Sequence, residues 1–546
     1  MGCDGTPAYK PCELIFEVPA AANPYTSVQL EAEFKSPKFK TFLMPAFWAG
    51  GNRMIVRFTP TESGQWDYRL TSSVSALSGK TGSFTAAASS APGFVVAANV
   101  HHWATENKQP HLWMGWTADQ LSFADDAGFT LGLDTTVSHK FTHLRCLILG
   151  GTGEYRAPDQ PNLEYFDKLD RRFRQIHDRG LTADLLLAPD PEYLRRLFPD
   201  WQARERFVRY VVARYAALNI TWQGFAEWED AAEGRALLKE LGLSLKKLDP
   251  YQHPRSSGAR FTSSPLLADG WMTYVVEGST DPQIGSIEHQ LYQVPFVGTT
   301  DAPHLWSTTM EGSYPQLRAG GEDVAKIWFG LIEDTRHWEL EPYFDLDGGR
   351  AVALEEIEYL VYIEKPAGPV EVSVEKHGYE ILWFNPLNGE TLAAKKYKGE
   401  HFTSEAPDRT HPWVLLVARE GRKESMLKSY KFESRTVPVQ EVEANTAKIP
   451  YEIAQPAGDS LTGKSTPYSI KIRKETRATR SMMFLWTGEV PAEGRGFRVL
   501  GTGAQGTFTI PAVLAERYPA VLSLRVSAIN ANGKVYSVDK VYELTQ

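Results

Sequence analysis

Residues 200–229 read DWQARERFVRYVVARYAALNITWQGFAEWE, and the order of their parts decides the fold. Through Leu218 the apolar residues recur at helical spacing. ITWQGFAEWE then begins as a buried strand does and ends on the carboxylates Glu227 and Glu229, with Asp230 next. Like charges crowded at a strand end cost energy unless something uses them. Outward from this unit the rhythm repeats. Upstream, HLWMGWT, THLRCLILG and TADLLLAPD are candidate strands ending in polar, Gly or acidic residues, and the helix FDKLDRRFRQIHDRG is stopped by Gly180 at a C-cap position. Downstream come LLKELGLSLKKL, a DPYQHP turn, IEHQLY and HLWSTTMEGSYP as the sixth and seventh strands, the helix EDVAKIWFGLIEDT, and RHWELEPYF as the eighth. Residues 93–365 with this alternation predict a (β/α)8 TIM barrel, whose chemistry gathers at the C-terminal ends of its strands.

The flanks have another texture. Residues 1–92 alternate apolar and polar positions in short runs such as SVQLEAEF and QWDYRLTS, which predicts an N-terminal immunoglobulin-like β-sandwich. Alternation returns over 366–422 (VEVSVEK, EILWFNPLNGE, WVLLVARE), a β-sandwich packed on the barrel, and over 423–546 (YSIKIRK, VLSLRVSAI), a C-terminal immunoglobulin-like sandwich; PLNG and INANGK read as turns. The expectation is a multidomain chain, α/β plus all-β, with the barrel flanked by β-sandwich domains. Its 546 residues are too many for one hydrophobic core.

A formal charge of -9 and the absence of a long Lys/Arg cluster argue against nucleic acid as a partner. No apolar run is long enough to span a bilayer. The start MGCDGT fits a lipidation pattern formally, but the start of a chain whose signal peptide has been removed explains the same letters, so a secreted, periplasmic or cell-surface location is expected. With only Cys3, Cys12 and Cys146 and no CxxC pair, no thiolate metal site is expected; Cys3 and Cys12 are a candidate pair in an exported chain, and Cys146 reads as core. His101-His102 lacks a spaced carboxylate or third His, DLDGGR lacks the glycine of a calcium loop, and LGGTGEY lacks phosphate-loop spacing. No metal and no cofactor are therefore expected.

Cleaving a glycosidic bond with retention needs two carboxylates about 5 to 5.5 Å apart, one ionised and one protonated. Glu227 after the fourth candidate strand and Glu311 after the seventh are the pair this reading selects. The barrel also resembles clan A glycoside hydrolases, in particular the apiosidase-like and cellulase-like barrels with an N-terminal immunoglobulin-like domain and a C-terminal β domain named as collagen-binding. The resemblance rests on Trp222, Glu227, Trp228 and Glu229 at the end of the fourth strand, on LDPYQHPRS, on NPYTSVQLEAEF and on EILWFNPLNGE followed by HPWVLLVA. It implies Glu227 as acid/base. Ala226 stands where the family has Asn, so that residue's contact to a sugar 2-hydroxyl is not carried over.

The implied activity is a retaining glycoside hydrolase acting on a poly- or oligosaccharide, with Glu311 as nucleophile; a non-catalytic carbohydrate-binding or cell-surface protein on a degenerate barrel is the alternative. Arg145 is placed to orient Glu311 and keep it ionised, and Glu229 to tune Glu227. His289 and Tyr292 resemble the family's His and Tyr at the mouth of the sixth strand. Trp116, Trp228, Trp306 and Trp338 are candidate stacking platforms for a pyranose ring.

Overall fold

The structure, a computed structural model, describes residues 2–20, 23–421, 425 and 439–545. The chain opens with two antiparallel sheets packed face to face. One joins Cys12–Glu17, Arg53–Phe58 and Phe47–Trp48; the other joins Thr41–Pro45, Leu30–Lys35, Gly64–Ser72 and Thr81–Ala86. Alternation decides which side faces in: Leu30, Ala32 and Phe34 are buried, and the Phe34 ring stacks on Phe58 at 3.8 Å between centroids. A disulfide joins Cys3 to Cys12.

Eight parallel strands follow: Gly115–Thr117, His143–Leu147, Thr182–Leu186, Ile220–Gln223, Arg255–Ser256, Val275–Glu277, Phe296–Thr300 and Tyr314–Leu317. Strands one to five pair in sequence order, strands six to eight do the same, and the eighth returns to the first; among the described residues only the fifth and sixth are left without a ladder between them, which makes a nearly closed TIM barrel. Helices Leu163–Asp178 and Trp201–Tyr215 lie where the sequence puts them. Gly180, at φ +76°, takes the left-handed conformation that ends the first, and the Asp200 carboxylate accepts from the Ala203 N–H to begin the second.

Strands one to four match their expected segments, and the later ones do not. IEHQLY is the last turn of a helix, Pro282–Leu291, that Asp281 caps, and LWSTTM is the helix Leu305–Met310. A short buried apolar run has no period that separates strand from helix, so VVE and FVGTT carry a weaker strand signal than their length in the barrel would need. RHWELEPYF ends in Glu341–Tyr343, an edge strand of the next domain. That domain starts earlier than residue 366, because Glu341–Tyr343, Leu346–Asp347, Arg350–Leu354 and Glu358–Ile363 join Val370–Phe384, Thr391–Ser404 and Trp413–Arg419 in one antiparallel sheet. The C-terminal domain packs the sheet of Tyr451–Gln455, Thr466–Ile472 and Gln505–Phe508 against five strands that include Met483–Glu489 and Ala520–Ile529. Residues 423, 424, 426–438 and 546 of its expected span lie outside the described residues. Among the described residues no helix is long and apolar enough to cross a membrane.

The DPYQHP turn joins two domains. Asp249 is fully buried and accepts from Trp222 Nε1 at 3.0 Å and from the His253 backbone at 2.9 Å, which fixes the back of the fourth strand. The Tyr251 hydroxyl donates to the Thr59 carbonyl and accepts from the Thr59 N–H, tying the N-terminal sandwich to the barrel. Arg57 strengthens that seam by reaching Glu13 and Asp170, and Asp170 also takes Arg214.

Candidate active site

The inward faces of the strands carry a connected polar interior. His143 Nδ1 lies 2.8 Å from Asp184 Oδ1, which also accepts from the Thr221 hydroxyl, and Gln223 donates to the Tyr274 hydroxyl at 3.1 Å. His143 Nε2 lies 2.8 Å from His111 Nε2, and burial beside His143 drives His111 well below the ordinary imidazole range. The two facing Nε2 atoms share one hydrogen, and the other nitrogen of His143 meets the Asp184 carboxylate. Asp184 Oδ2, Gln223 Oε1, Gln316 Nε2 and Thr117 Oγ1 are buried and have no partner within the protein. Four such atoms on inward positions of the first, third, fourth and eighth strands form a polar floor suited to water or a hydroxyl-rich ligand.

Around that floor the strand ends supply charge. Arg145 makes a bidentate pair with Asp119, both bonds 2.8 Å. Glu227 stands beyond the end of the fourth strand with 49% of its side chain exposed; Arg260, from the loop after the fifth strand, donates to it at 3.3 Å and also pairs with Asp230. Phe261, beside Arg260, leaves 37% of its surface exposed. Asp301 follows the seventh strand, and His304 Nδ1 lies 2.6 Å from its carboxylate. Arg318, after the eighth, donates to the Gly278 carbonyl. Two carboxylates, Glu227 and Asp301, thus follow strands four and seven.

Glu311 does not belong to this set. It ends the helix Leu305–Met310 and precedes the eighth strand, whereas Glu227 follows the fourth, so in a barrel of parallel strands the two belong to opposite ends. Glu311 is 3% exposed and turns outward beneath the helix Pro282–Leu291, where it meets Glu277. Tyr274 faces the interior, where its hydroxyl meets Gln223, so strand alternation sends Glu277 to the helix side, where Ser313 donates to it at 2.8 Å. Arg145 is committed to Asp119 and does not orient Glu311. The retaining pair Glu227/Glu311 is therefore corrected: a carboxyl sealed under helices reaches no sugar.

The packing of these two carboxyls gives an expected result. A Cβ at Gly285 would lie 2.1 Å from Glu311 Oε2 and 2.8 Å from Glu277 Oε2. Gly to Ala inside a helix ordinarily stabilises by about 1 kcal/mol. Here Gly285→Ala is expected to destabilise by about 1–3 kcal/mol, through overpacking, in a denaturant titration. An Ala variant more stable than wild type would contradict the placement.

Comparisons with known proteins agree with this architecture. Residues 5–73 match a family described as a domain of unknown function, DUF5060. No curated protein matches the chain. A candidate glycoside hydrolase from Bacteroides vulgatus ATCC 8482 superposes with a TM-score of 0.66 at 18% identity, over 76% of this chain and all of that one. A glycoside hydrolase family 5 protein from the same organism gives 0.54 at 13% identity, over 63% and 97%. A further glycoside hydrolase gives 0.52 at 14%, over 60% and 97%. At these identities the likeness is one of fold.

The remaining expected site residues are structural where they lie. Trp228 is fully buried; its Nε1 donates to the Thr262 carbonyl, and Arg498 of the C-terminal domain covers its ring at 4.0 Å. Trp116 faces outward onto Phe141, Trp306 packs on Tyr362 and Phe384, and Trp338 is buried beside His337. None is an open platform. Glu229 accepts three backbone N–H bonds from Arg260, Phe261 and Thr262, which shapes the loop that presents Arg260. His289 and Tyr292 lie at the end of the outer helix Pro282–Leu291 and not at the mouth. Sequence reasoning missed Asp119, Asp184, Gln223, Arg260, Asp301 and Gln316. The signal available for Asp301 was its position after FVGTT, legible once that segment is counted as the seventh strand.

Proposed function

We propose that the chain is a glycoside hydrolase that takes a poly- or oligosaccharide across the C-terminal mouth of its barrel. The observation that carries this reading is Glu227, an accessible carboxylate at the end of the fourth strand above a floor of inward polar atoms without protein partners. The fold likeness to glycoside hydrolases supports it. Asp301, which follows the seventh strand, is the carboxylate this reading assigns as its partner. In the proposed double displacement, Asp301 attacks the anomeric carbon while Glu227 gives a proton to the leaving oxygen; Glu227 then takes a proton from the water that releases the sugar. Arg260 stays paired with Asp230 while Glu227 carries the proton, and Phe261 offers an exposed ring to a sugar face. The Cys3–Cys12 disulfide supports an exported chain.

The test is a panel of plant, algal and microbial polysaccharides, with proton NMR of fresh product. Hydrolysis with retained anomeric configuration is expected. An inverted product would overturn the double displacement, and binding without hydrolysis across the panel would favour a carbohydrate-binding barrel.

A further inference from the structure

On the outside of the barrel, away from the mouth, three segments distant in the chain bring metal-ligand chemistry together. His101 comes from the loop of the hairpin Val95–Ala98/His102–Thr105, His289 from the last turn of Pro282–Leu291, and Glu341 opens the first strand of the third domain. Their donor atoms all lie within 4.8 Å of one another. Glu341 Oε2 is 3.1 Å from His101 Nδ1 and 3.5 Å from His289 Nε2. A tetrahedral zinc ion with bonds of about 2.0–2.1 Å holds its ligand atoms about 3.3 Å apart.

Both imidazoles turn a nitrogen to the same carboxylate oxygen, so the three donor atoms converge on one point. His101 Nε2 lies 3.1 Å from the Tyr292 carbonyl, which only accepts, so Nε2 carries the hydrogen and the neutral ring turns the Nδ1 lone pair toward a carboxylate oxygen. Two lone pairs facing each other at 3.1 Å repel unless a positive charge lies between them. In the metal-free protein a second proton on His101 relieves that contact, and His289, whose Nδ1 lies 3.4 Å from the donating Gln290 side-chain amide, carries its hydrogen on Nε2 toward the same oxygen; a divalent ion would take the place of both protons. His289 is 2% exposed, and its Nε2, aimed at the same Glu341 oxygen, has no hydrogen-bond partner. One divalent ion answers all three atoms.

The surroundings are those of a built site. His102 Nε2 lies 3.2 Å from the other Glu341 oxygen, and its Nδ1 lies 2.8 Å from the Tyr314 hydroxyl, which orients the carboxylate. A Cβ at position 312 would sit 2.5 Å from His289 Nε2, so Gly312 leaves room for the ring. His101 and Glu341 border a cavity of about 950 Å³ that gives an ion a way in and leaves space for a water ligand.

We infer that His101, His289 and Glu341 form a divalent-metal site, with zinc the ion that suits two imidazoles and one carboxylate. It clamps the hairpin, the outer helix and the third domain together, and it is independent of the reaction proposed at the mouth. The experiment uses the full chain, stripped with chelator and dialysed. Titration with Zn2+ by calorimetry is expected to show one equivalent bound and a raised thermal midpoint, and Co2+ is expected to produce visible ligand-field bands. His289→Asn and Glu341→Gln should each weaken Zn2+ binding by more than about 100-fold, while His139→Ala, a histidine remote from the cluster, binds as wild type. Folded wild-type protein that binds no stoichiometric Zn2+ and gives no Co2+ bands overturns the inference. So does a folded His289→Asn variant with unchanged affinity. Should one variant fail to fold, the wild-type stoichiometry and the other variant still decide.

Discussion

Glu227→Gln is expected to lower kcat/KM by about 10²–10⁴-fold on any polysaccharide the wild type cleaves, the range for removing a proton-transferring side chain. The fold should survive the change. Glu227 is half exposed, its partner Arg260 keeps Asp230, and exposed ion pairs contribute about 0–1 kcal/mol. Asp301→Asn should be as damaging to rate and as gentle to structure, because Asn caps the turn at 301–304 as Asp does while lacking the charge. Glu311→Gln makes the contrast. Its carboxyl lies under the helix Pro282–Leu291 against Glu277, so turnover is expected to stay within about threefold of wild type. Initial rates on one substrate with matched circular dichroism spectra check all three.

The second large effect is on stability against pH. Burial and the neighbouring Glu288 push Glu277 up to about 8, burial pushes Glu288 up to about 7, and burial with Glu277 pushes Glu311 well above the ordinary carboxyl range. In the unfolded chain all three titrate near 4.5, so between that value and the folded values the native state holds more protons. The contribution of these groups is then complete below about pH 4.5 and is lost as pH rises through 7 and 8. For Glu277 alone the loss is on the order of 5 kcal/mol at most. The wild-type melting midpoint should therefore fall from about pH 6 to about pH 9. Glu277→Gln or Glu311→Gln, neutral at every pH, should flatten that decline and melt above wild type at the alkaline end. A wild-type midpoint that holds steady or climbs over this range would contradict the buried cluster.

How far the sequence could be read follows from element length. Strands one to four, the helices Leu163–Asp178 and Trp201–Tyr215, the Gly180 stop and both turns at 386–389 and 529–534 were legible because each combines a sustained period with a turn residue. Arg255–Ser256 has two residues and Val275–Glu277 three, too few to show alternation, so the count slipped by one element. That slip moved Glu311 from the outer helical layer to an imagined strand end and hid Asp301. The DPYQHP motif was visible, yet its work on Trp222 and Thr59 depends on contacts that no spacing encodes. The same holds for His101 and Glu341, whose meeting with His289 is a product of three separate segments folding together.

Initial reducing-end release by wild type, Glu227→Gln and Glu311→Gln on one cleaved polysaccharide separates a reaction at the mouth from one at the buried carboxyl. Near-complete loss is expected for Glu227→Gln and a near-wild-type rate for Glu311→Gln; activity that survives in Glu227→Gln and disappears in a folded Glu311→Gln would place the reaction at Glu311 instead.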